Sequence, residues 1–180
     1  MSSPQTWTRD GAYWQFVHAD LRGWNFAGAQ LQYANFQGAR LQRATFRGAD
    51  IRGASFDGAN LTQADFTKVL AQGTRFQYAL LQGAFFRQAL LVSAHLEQAS
   101  VAASDFTGAN LEWAWVEGVN FQEAIVSCAL FLNVRGLTSE ARHLIEGRGG
   151  FTGVRPMILG RELYEQSMPA GTDTAAWGRA

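Results

Sequence analysis

An apolar residue at every fifth position is the feature that most restricts the fold of this chain. Within residues 35–61 these central residues are Phe36, Leu41, Phe46, Ile51, Phe56 and Leu61. An α-helix turns about 100° per residue, so a five-residue step would spread these side chains around its surface. A continuous strand would send them alternately to opposite faces. A chain that turns once per five residues directs all of them inward, and the pattern therefore predicts a solenoid.

The pattern runs from Phe16 to Phe131. Phe, Leu, Ile or Val fills 23 of these 24 central positions, and only Ala71 departs. Ala fills 18 of the 24 positions that lie two residues before the centre, which predicts a second inward position limited to small side chains. Gly is frequent two residues after the centre, where a tight corner benefits from positive φ. The positions that flank the centre are mostly polar and are expected to face water.

The central residues alternate between Phe and Leu or Ile from Phe16 to Leu81, apart from Ala71. In a four-sided coil, like residues would face each other across the core. The expected core stack is Phe16, Phe36, Phe56, Phe76, Leu21, Leu41, Leu61 and Leu81. From Val116 to Phe131 the large residues move to the other pair of sides. Replacing a core Leu with Ala costs about 2–5 kcal/mol, so Ala71 is expected to leave a shortage of volume in the core. We expect Val69 to fill part of that missing volume.

These repeats resemble those of the pentapeptide-repeat family, whose motif is A(D/N)LXX. Residues 49–53 (ADIRG) and 109–113 (ANLEW) match the motif, and the resemblance covers about two-thirds of the chain. It implies an all-β solenoid, a right-handed quadrilateral β-helix with four repeats per coil and about six coils.

A stacked β-helix exposes backbone and core at its ends, so caps are needed. We expect residues 1–13 to close the N-terminal end with help from Trp14 and Trp24, and residues 14–134 to form the β-helix. Residues 135–168 would form a C-terminal helical cap or dimer element, with Thr138 or Ser139 as N-cap of a first helix and Gly147 as its stop. A second helix is expected after Pro156, and residues 169–180 are expected to be disordered. The candidate cap or dimer contacts are Leu144, Ile145, Ile158, Leu159 and Leu163.

Two outward surfaces are candidate interaction sites. The apolar belt consists of Leu70, Leu80, Phe85, Leu90 and Val92, which fall within little more than one coil and break the polar rule for outward positions. Alternatively, some of these side chains turn inward beside Ala71 or lie under the C-terminal tail. The acidic surface consists of Asp57, Glu97, Glu112, Glu117 and Glu123. Residues 88–134 contain five acidic and no basic residues. The alternative for this surface is a solvated face without a role.

Nothing in the sequence predicts catalysis. His18, His95, His143 and the lone Cys128 do not have the spacing of metal ligands, and neither a GxGxxG nor a phosphate-binding loop is present. We expect no catalytic residue, no metal and no cofactor. The single cysteine excludes an internal disulfide and favours the cytoplasm, and no segment predicts a signal peptide or a membrane span.

These observations favour a non-enzymatic protein-binding scaffold or regulatory interaction module with a protein partner of unknown identity and a possible homodimer through the C-terminal region. The resemblance adds an alternative, because some bacterial members mimic a DNA duplex, bind DNA gyrase or topoisomerase IV, and protect against quinolones or toxins. The net charge of zero departs from the strongly negative charge of those members. Direct nucleic-acid binding through Arg40, Arg43, Arg47 and Arg52 lacks an aromatic-basic motif and is not expected.

Overall fold

The computed structural model of the chain describes residues 13–153. Throughout the repeats the backbone turns every five residues, and from Gln15 to Trp115 one residue in each repeat, except Ser100, forms a parallel β-bridge with the residue 20 positions later. Four sides therefore complete one coil, and the coils stack in register as a β-solenoid. We number the sides by their first bridging residue: side 1 contains Gln15, side 2 Asp20, side 3 Asn25 and side 4 Gln30. Each side continues at intervals of 20 residues.

Three backbone hydrogen bonds join each regular side to the next coil. On side 4, Leu31 N–H donates to Asp50 O at 2.7 Å, Tyr33 N–H donates to Arg52 O at 3.0 Å, and Asp50 N–H donates to Ala29 O at 2.9 Å. The same three bonds recur on most sides along the described chain. Because every coil is bonded to its neighbour on several sides, outward side chains are held on a rigid framework.

Each side ends in a tight turn. In the turn after Phe36, the carbonyl of Phe36 accepts from Ala39 N–H at 3.0 Å, and the third residue, Gly38, has φ of 64°. The second residue, Gln37, is not among the residues with positive φ, so the turn is type II. Thirteen non-glycine residues in the described chain take the third position with positive φ, as Tyr33 does with φ of 59°. This conformation costs about 1–2 kcal/mol for such residues, so glycine is favoured at the corner but is not required.

Two parallel stacks of phenylalanine rings fill opposite sides of the core. Phe36 and Phe56 have ring centroids 4.7 Å apart and an interplanar angle of 4°. Phe46 and Phe66 stack in the same way at 4.9 Å on the opposite side. Phe36 meets Phe46 across the core at 5.7 Å and 89°. The ring spacing equals the spacing of neighbouring strands, so the backbone and the core side chains repeat at the same distance along the solenoid.

The remaining expected core residues line the other sides. Leu21, Leu41, Leu61 and Leu81 are buried, as are Phe56 and Phe76, whereas Phe16 in the first coil is half-buried. Near the C-terminal end the large residues do change sides. Phe121 and Phe131 occupy the two columns that hold Leu and Ile earlier, and their rings meet at 5.2 Å and 85°.

Ala71 is flanked by two buried side chains that are larger than the usual alanine. Val69 and Thr74 both lie at the small inward position and are fully buried. The Thr74 hydroxyl donates to the carbonyl of Ile51 at 2.8 Å. The sequence predicted a compensating role for Val69 only; Thr74 adds volume on the other side of Ala71 and satisfies its own polar group.

A short helix lies over the C-terminal end of the core. Helix α1 spans Ser139–Gly147, and its N-cap is Thr138, whose hydroxyl accepts from Ala141 N–H at 3.2 Å. Ile145 is fully buried, and Leu137 and Leu144 pack against the core. Gly147 belongs to the helix, and Arg148 is the C-cap. The expected stop at Gly147 is therefore one residue early.

After α1 the chain returns to the solenoid. Phe151 forms a parallel bridge with Leu130, and its carbonyl accepts from Phe131 N–H at 2.7 Å. Thr152 is buried and donates to the Glu146 carboxylate. In the described part of the chain α1 is the only helix, and its nine residues are too few to cross a bilayer. The expected second helix with Ile158, Leu159 and Leu163, residues 1–12 of the expected N-terminal cap, and the expected tail at 169–180 lie outside the described residues.

Candidate functional site

The five residues of the apolar belt do not form one surface. Leu70 and Leu90 pair on side 4, where Val92 follows them, and all three are half-buried. Phe85 lies on side 3 and is 38% exposed, and Leu80 lies on side 2 and is 42% exposed. None of the five is buried in the core, but residues five apart in sequence lie on neighbouring sides of a four-sided coil. The belt therefore crosses three neighbouring sides of the solenoid rather than lying on one face, and its role as an interaction surface remains a prediction.

The acidic surface is also divided. Asp57, Glu97 and Glu117 follow side 1 at coil intervals, whereas Glu112 follows side 4 and Glu123 lies at the corner after side 2. Two of the three that share a column are already engaged. The Asp57 carboxylate lies 2.7 Å from Arg75, and the Glu97 carboxylate lies 3.0 Å from His95. The five residues therefore do not lie in one column, and their role as an acidic interaction surface remains a prediction.

Arginine neutralises every aspartate within residues 13–153. The pairs are Arg22 with Asp20, Arg52 with Asp50, Arg75 with Asp57, Arg47 with Asp65 and Arg87 with Asp105. In the last three pairs the partners are 18 residues apart and join neighbouring coils. Carboxylates held in this way are not free to imitate the phosphates of a nucleic acid.

The least exposed of these carboxylates have lowered pKa values. Burial raises the pKa of Asp50, but hydrogen bonds from Arg52 and from the Gln32 side chain outweigh burial and leave the pKa below its ordinary value. Asp105 behaves in the same way, with Thr107 and Arg87 as its donors. These groups are ionised and paired at neutral pH, so they do not have the raised pKa that a general acid needs.

An aromatic and cationic stack on side 1 was not found from the sequence. The His95 ring lies 5.6 Å from the Trp115 ring at an interplanar angle of 13°, and the Arg135 guanidinium lies 4.4 Å from the same indole. The three residues are each 20 positions apart. Reading the sequence in rows of 20 would have brought them together.

Side 2 contains a gap between two coils. From the pair Gln15–Asn35 to the pair Trp115–Arg135, Ser100 and Asn120 are the only residues 20 apart at bridging positions that form no bridge. No hydrogen bond within the described residues replaces the ones that Val101 N–H, Ala103 N–H and Asn120 N–H would make in a regular coil. A cavity of about 310 Å³ occupies the gap, between residues 98–102 and residues 118–123.

The residues that bind metals are dispersed. Within residues 13–153, no three His, Cys, Asp or Glu side chains gather at a position that could hold a metal ion. His143 Nδ1 lies 2.7 Å from the carbonyl of Ser139, and Cys128 is exposed.

Several solved structures are similar to this chain. A pentapeptide repeat protein of the Arabidopsis thaliana thylakoid lumen is 29% identical, with 78% of this chain and 83% of that chain covered and a TM-score of 0.48. HetL of the cyanobacterium Nostoc, involved in heterocyst differentiation regulation, is 21% identical, with coverage of 68% and 52% and a TM-score of 0.36. QnrB1, a plasmid-mediated fluoroquinolone resistance protein, is 18% identical, with coverage of 74% and 84% and a TM-score of 0.37.

The comparison with curated proteins found no match. The family assignment rests on the repeats themselves. Two profiles, both described as pentapeptide repeats, match residues 15–70 and, in overlapping segments, residues 72–108, 94–122 and 104–129. Together they span the described coils almost completely, and the chain belongs to the pentapeptide repeat family.

Proposed function

We propose that this chain is a non-enzymatic scaffold that binds a protein partner in the cytoplasm. The observation that carries the proposal is the exposure of large apolar side chains on a hydrogen-bonded framework. Phe85 and Leu80 are 38% and 42% exposed, and both lie in the ladder of parallel bridges. A side chain fixed in this way loses little conformational entropy when a partner covers it. Leu80 and Phe85 lie on neighbouring sides of one coil, and exposed apolar side chains that together form a patch mark protein-protein contacts.

The experiment compares partner capture by the full-length protein and two single variants. The tagged protein is incubated with a lysate of its own host, crosslinked, and analysed by mass spectrometry. Phe85→Ser should lose a specific partner, whereas Thr45→Ser, on the same side, should retain it. Circular dichroism verifies that both variants fold. Identical capture by all three proteins, or crosslinks only to other sides, would show that Phe85 does not contribute to a binding surface.

The alternative is a DNA-mimicking modulator of DNA gyrase or topoisomerase IV. It is favoured by residues 88–134, which contain five acidic and no basic residues. The pairing of Asp105, in this region, with Arg87, just before it, weakens that argument, because it leaves only glutamates to act as phosphate mimics. Gyrase supercoiling with and without a fluoroquinolone, at two salt concentrations, tests the alternative. Protection that decreases with salt and disappears in the double variant Glu97→Lys and Glu117→Lys would favour mimicry over the scaffold.

We also propose that a homodimer forms through the C-terminal region. Leu144 is half-buried on α1 at the end of the solenoid, so a second copy could cover its exposed part. Sedimentation equilibrium of the wild-type protein and of Leu144→Asp tests this proposal. A monomeric wild-type protein would exclude it.

A further inference from the structure

We propose that the gap on side 2 binds an extended peptide segment of a partner protein, which enters between the two coils as an additional strand. The proposal rests on the protein-binding function proposed above and specifies one site and one binding mode for it. It follows from the backbone groups in the gap, from the contacts that hold the gap open, and from the charge of its lining.

The backbone groups in the gap have the spacing that an extended chain requires. One coil earlier on side 2, Leu81 N–H donates to Ser100 O at 2.8 Å and Gly83 N–H donates to Ala102 O at 2.9 Å. The equivalent donors in the gap, Val101 N–H and Ala103 N–H, have no partner among the described residues. Val101 is 1% exposed, so its amide is largely removed from bulk water. Two donors that are two residues apart fit alternate carbonyls of an added strand.

Contacts beyond the gap hold residues 118–123 away from the preceding coil, while the two coils stay bridged on either side of the gap at His95–Trp115 and Asp105–Ile125. The Arg148 guanidinium donates to the carbonyl of Gln122 at 2.5 Å and lies 3.4 Å from the carbonyl of Ala124. In a regular coil the Gln122 carbonyl would accept from Ala103. Glu123 is also the only corner residue between His18 and Asn133 without a positive φ. The separation is therefore accompanied by a changed corner and by a new donor, Arg148, for the Gln122 carbonyl.

A second cavity lies on the other side of the displaced segment. It has a volume of about 400 Å³, lies between residues 119–122 and α1, and is lined in part by Thr138 and Leu144. Phe121 is buried and anchors the segment to the core. The segment thus has open space on both flanks, and it can shift toward α1 when a strand enters the gap.

The lining of the gap indicates the chemistry of the peptide. Four of the nine lining residues are small (Ala99, Ser100, Ala102 and Gly118), and Glu123 is the only charged residue that lines the cavity. A peptide with a Lys or Arg beside Glu123 is therefore preferred over one with an acidic residue. The volume of about 310 Å³ fits a few residues of extended chain, while the rest of the peptide extends over the adjoining surface beside Leu80.

The test uses peptides selected from a phage-displayed library of random peptides and then synthesised with a fluorescent label. Binding is measured by fluorescence polarisation to a variant with Ser100→Cys, Asn120→Cys and Cys128→Ser. In a closed ladder these two cysteines are directly opposite, so a disulfide closes the gap. Arg40→Cys and Asn60→Cys, a regular pair on the same side, form the control in the same Cys128→Ser background.

We expect oxidation of the gap variant to weaken binding by about a hundredfold, because the peptide loses its backbone partners, and reduction to restore it. Oxidation of the control should leave binding unchanged. Glu123→Gln should weaken binding of Lys- or Arg-containing peptides by about three- to fivefold. Failure of the library to yield a binding peptide, or equal binding to the oxidised and reduced gap variant, would overturn the proposal.

Hydrogen exchange gives a second readout that needs no mutation. The amides of Val101 and Ala103 should exchange faster than those of Leu81 and Gly83 in the free protein, and a bound peptide should slow them. If the exchange rates of the Val101 and Ala103 amides do not change when the peptide binds, the peptide does not bind in the gap. A protein partner that binds the oxidised gap variant normally would overturn the strand-addition site and leave the scaffold function intact.

Discussion

Replacing two adjacent phenylalanines separately tests the assignment of inward and outward positions. Phe86 is fully buried, and its ring centroid lies 4.9 Å from that of Phe66, 5.0 Å from that of Phe106 and 5.7 Å from that of Phe76. Phe85 is 38% exposed, and the Arg87 guanidinium lies 5.4 Å from its ring. The two residues have the same chemistry and neighbouring positions, so any difference between their alanine variants reports the direction of the side chain.

The structure gives different magnitudes for the two variants. Removing a core phenylalanine costs about 3–5 kcal/mol. We expect the loss of stability in Phe86→Ala to lie near the upper end of this range. The backbone ladder holds the rings above and below Phe86 and prevents them from closing the space. Phe85→Ala loses part of its buried area and a contact with Arg87, which together amount to about 1–2 kcal/mol. The expected difference in the free energy of unfolding is therefore about 3 kcal/mol.

The assay is urea unfolding followed by circular dichroism, with native-state hydrogen exchange to detect coils that open separately. Phe86→Leu is the control for volume, since Leu96 shows that leucine fits a central position. It should recover most of the stability lost in Phe86→Ala. If the two alanine variants lie within about 1 kcal/mol of each other, the inward assignment of Phe86 or the rigidity of the ring stack is wrong.

The features that the sequence predicted are those that each repeat specifies for itself. The five-residue spacing identified the inward residues, and the composition of residues 116–131 predicted the move of Phe121 and Phe131 to the other sides. Thr138 was recognised as a possible N-cap from its position before an apolar helical pattern. Each of these inferences uses residues close together in the chain, so none depends on knowing how the coils meet.

The features that were missed arise between coils. The pair Arg47 and Asp65 is separated by 18 residues, and its members become neighbours only when the sequence is arranged in rows of 20. The distribution of the apolar belt over sides 2, 3 and 4 was missed for the same reason, since residues five apart in sequence lie on neighbouring sides. At the gap on side 2 the Gln122 carbonyl accepts from Arg148, which lies 26 residues later and follows α1 in the chain. No repeat contains that information.

Three further predictions concern the backbone, the core and the charges. Gly136 has φ of 81°, and an added Cβ would lie 2.6 Å from the Glu117 backbone. Gly136→Ala should therefore lose about 3 kcal/mol in urea unfolding, against about 1–2 kcal/mol for Gly58→Ala, whose Cβ meets open space; equal losses would contradict the close approach. Thr74→Val should lose about 1 kcal/mol by the same measurement, because its buried hydroxyl donates to a backbone carbonyl, and a gain in stability would show that the hydroxyl is not needed. Asp50→Asn should lower Tm at pH 7, since the pKa of Asp50 is lower in the folded protein than the unfolded value of about 3.9, and the ionised form therefore stabilises the fold above that pH. This stabilisation is lost as the pH falls through the folded pKa, so the wild-type protein and Asp50→Asn should converge in Tm under acid, and a difference that stays constant or grows there would mean that the ionised carboxylate does not contribute.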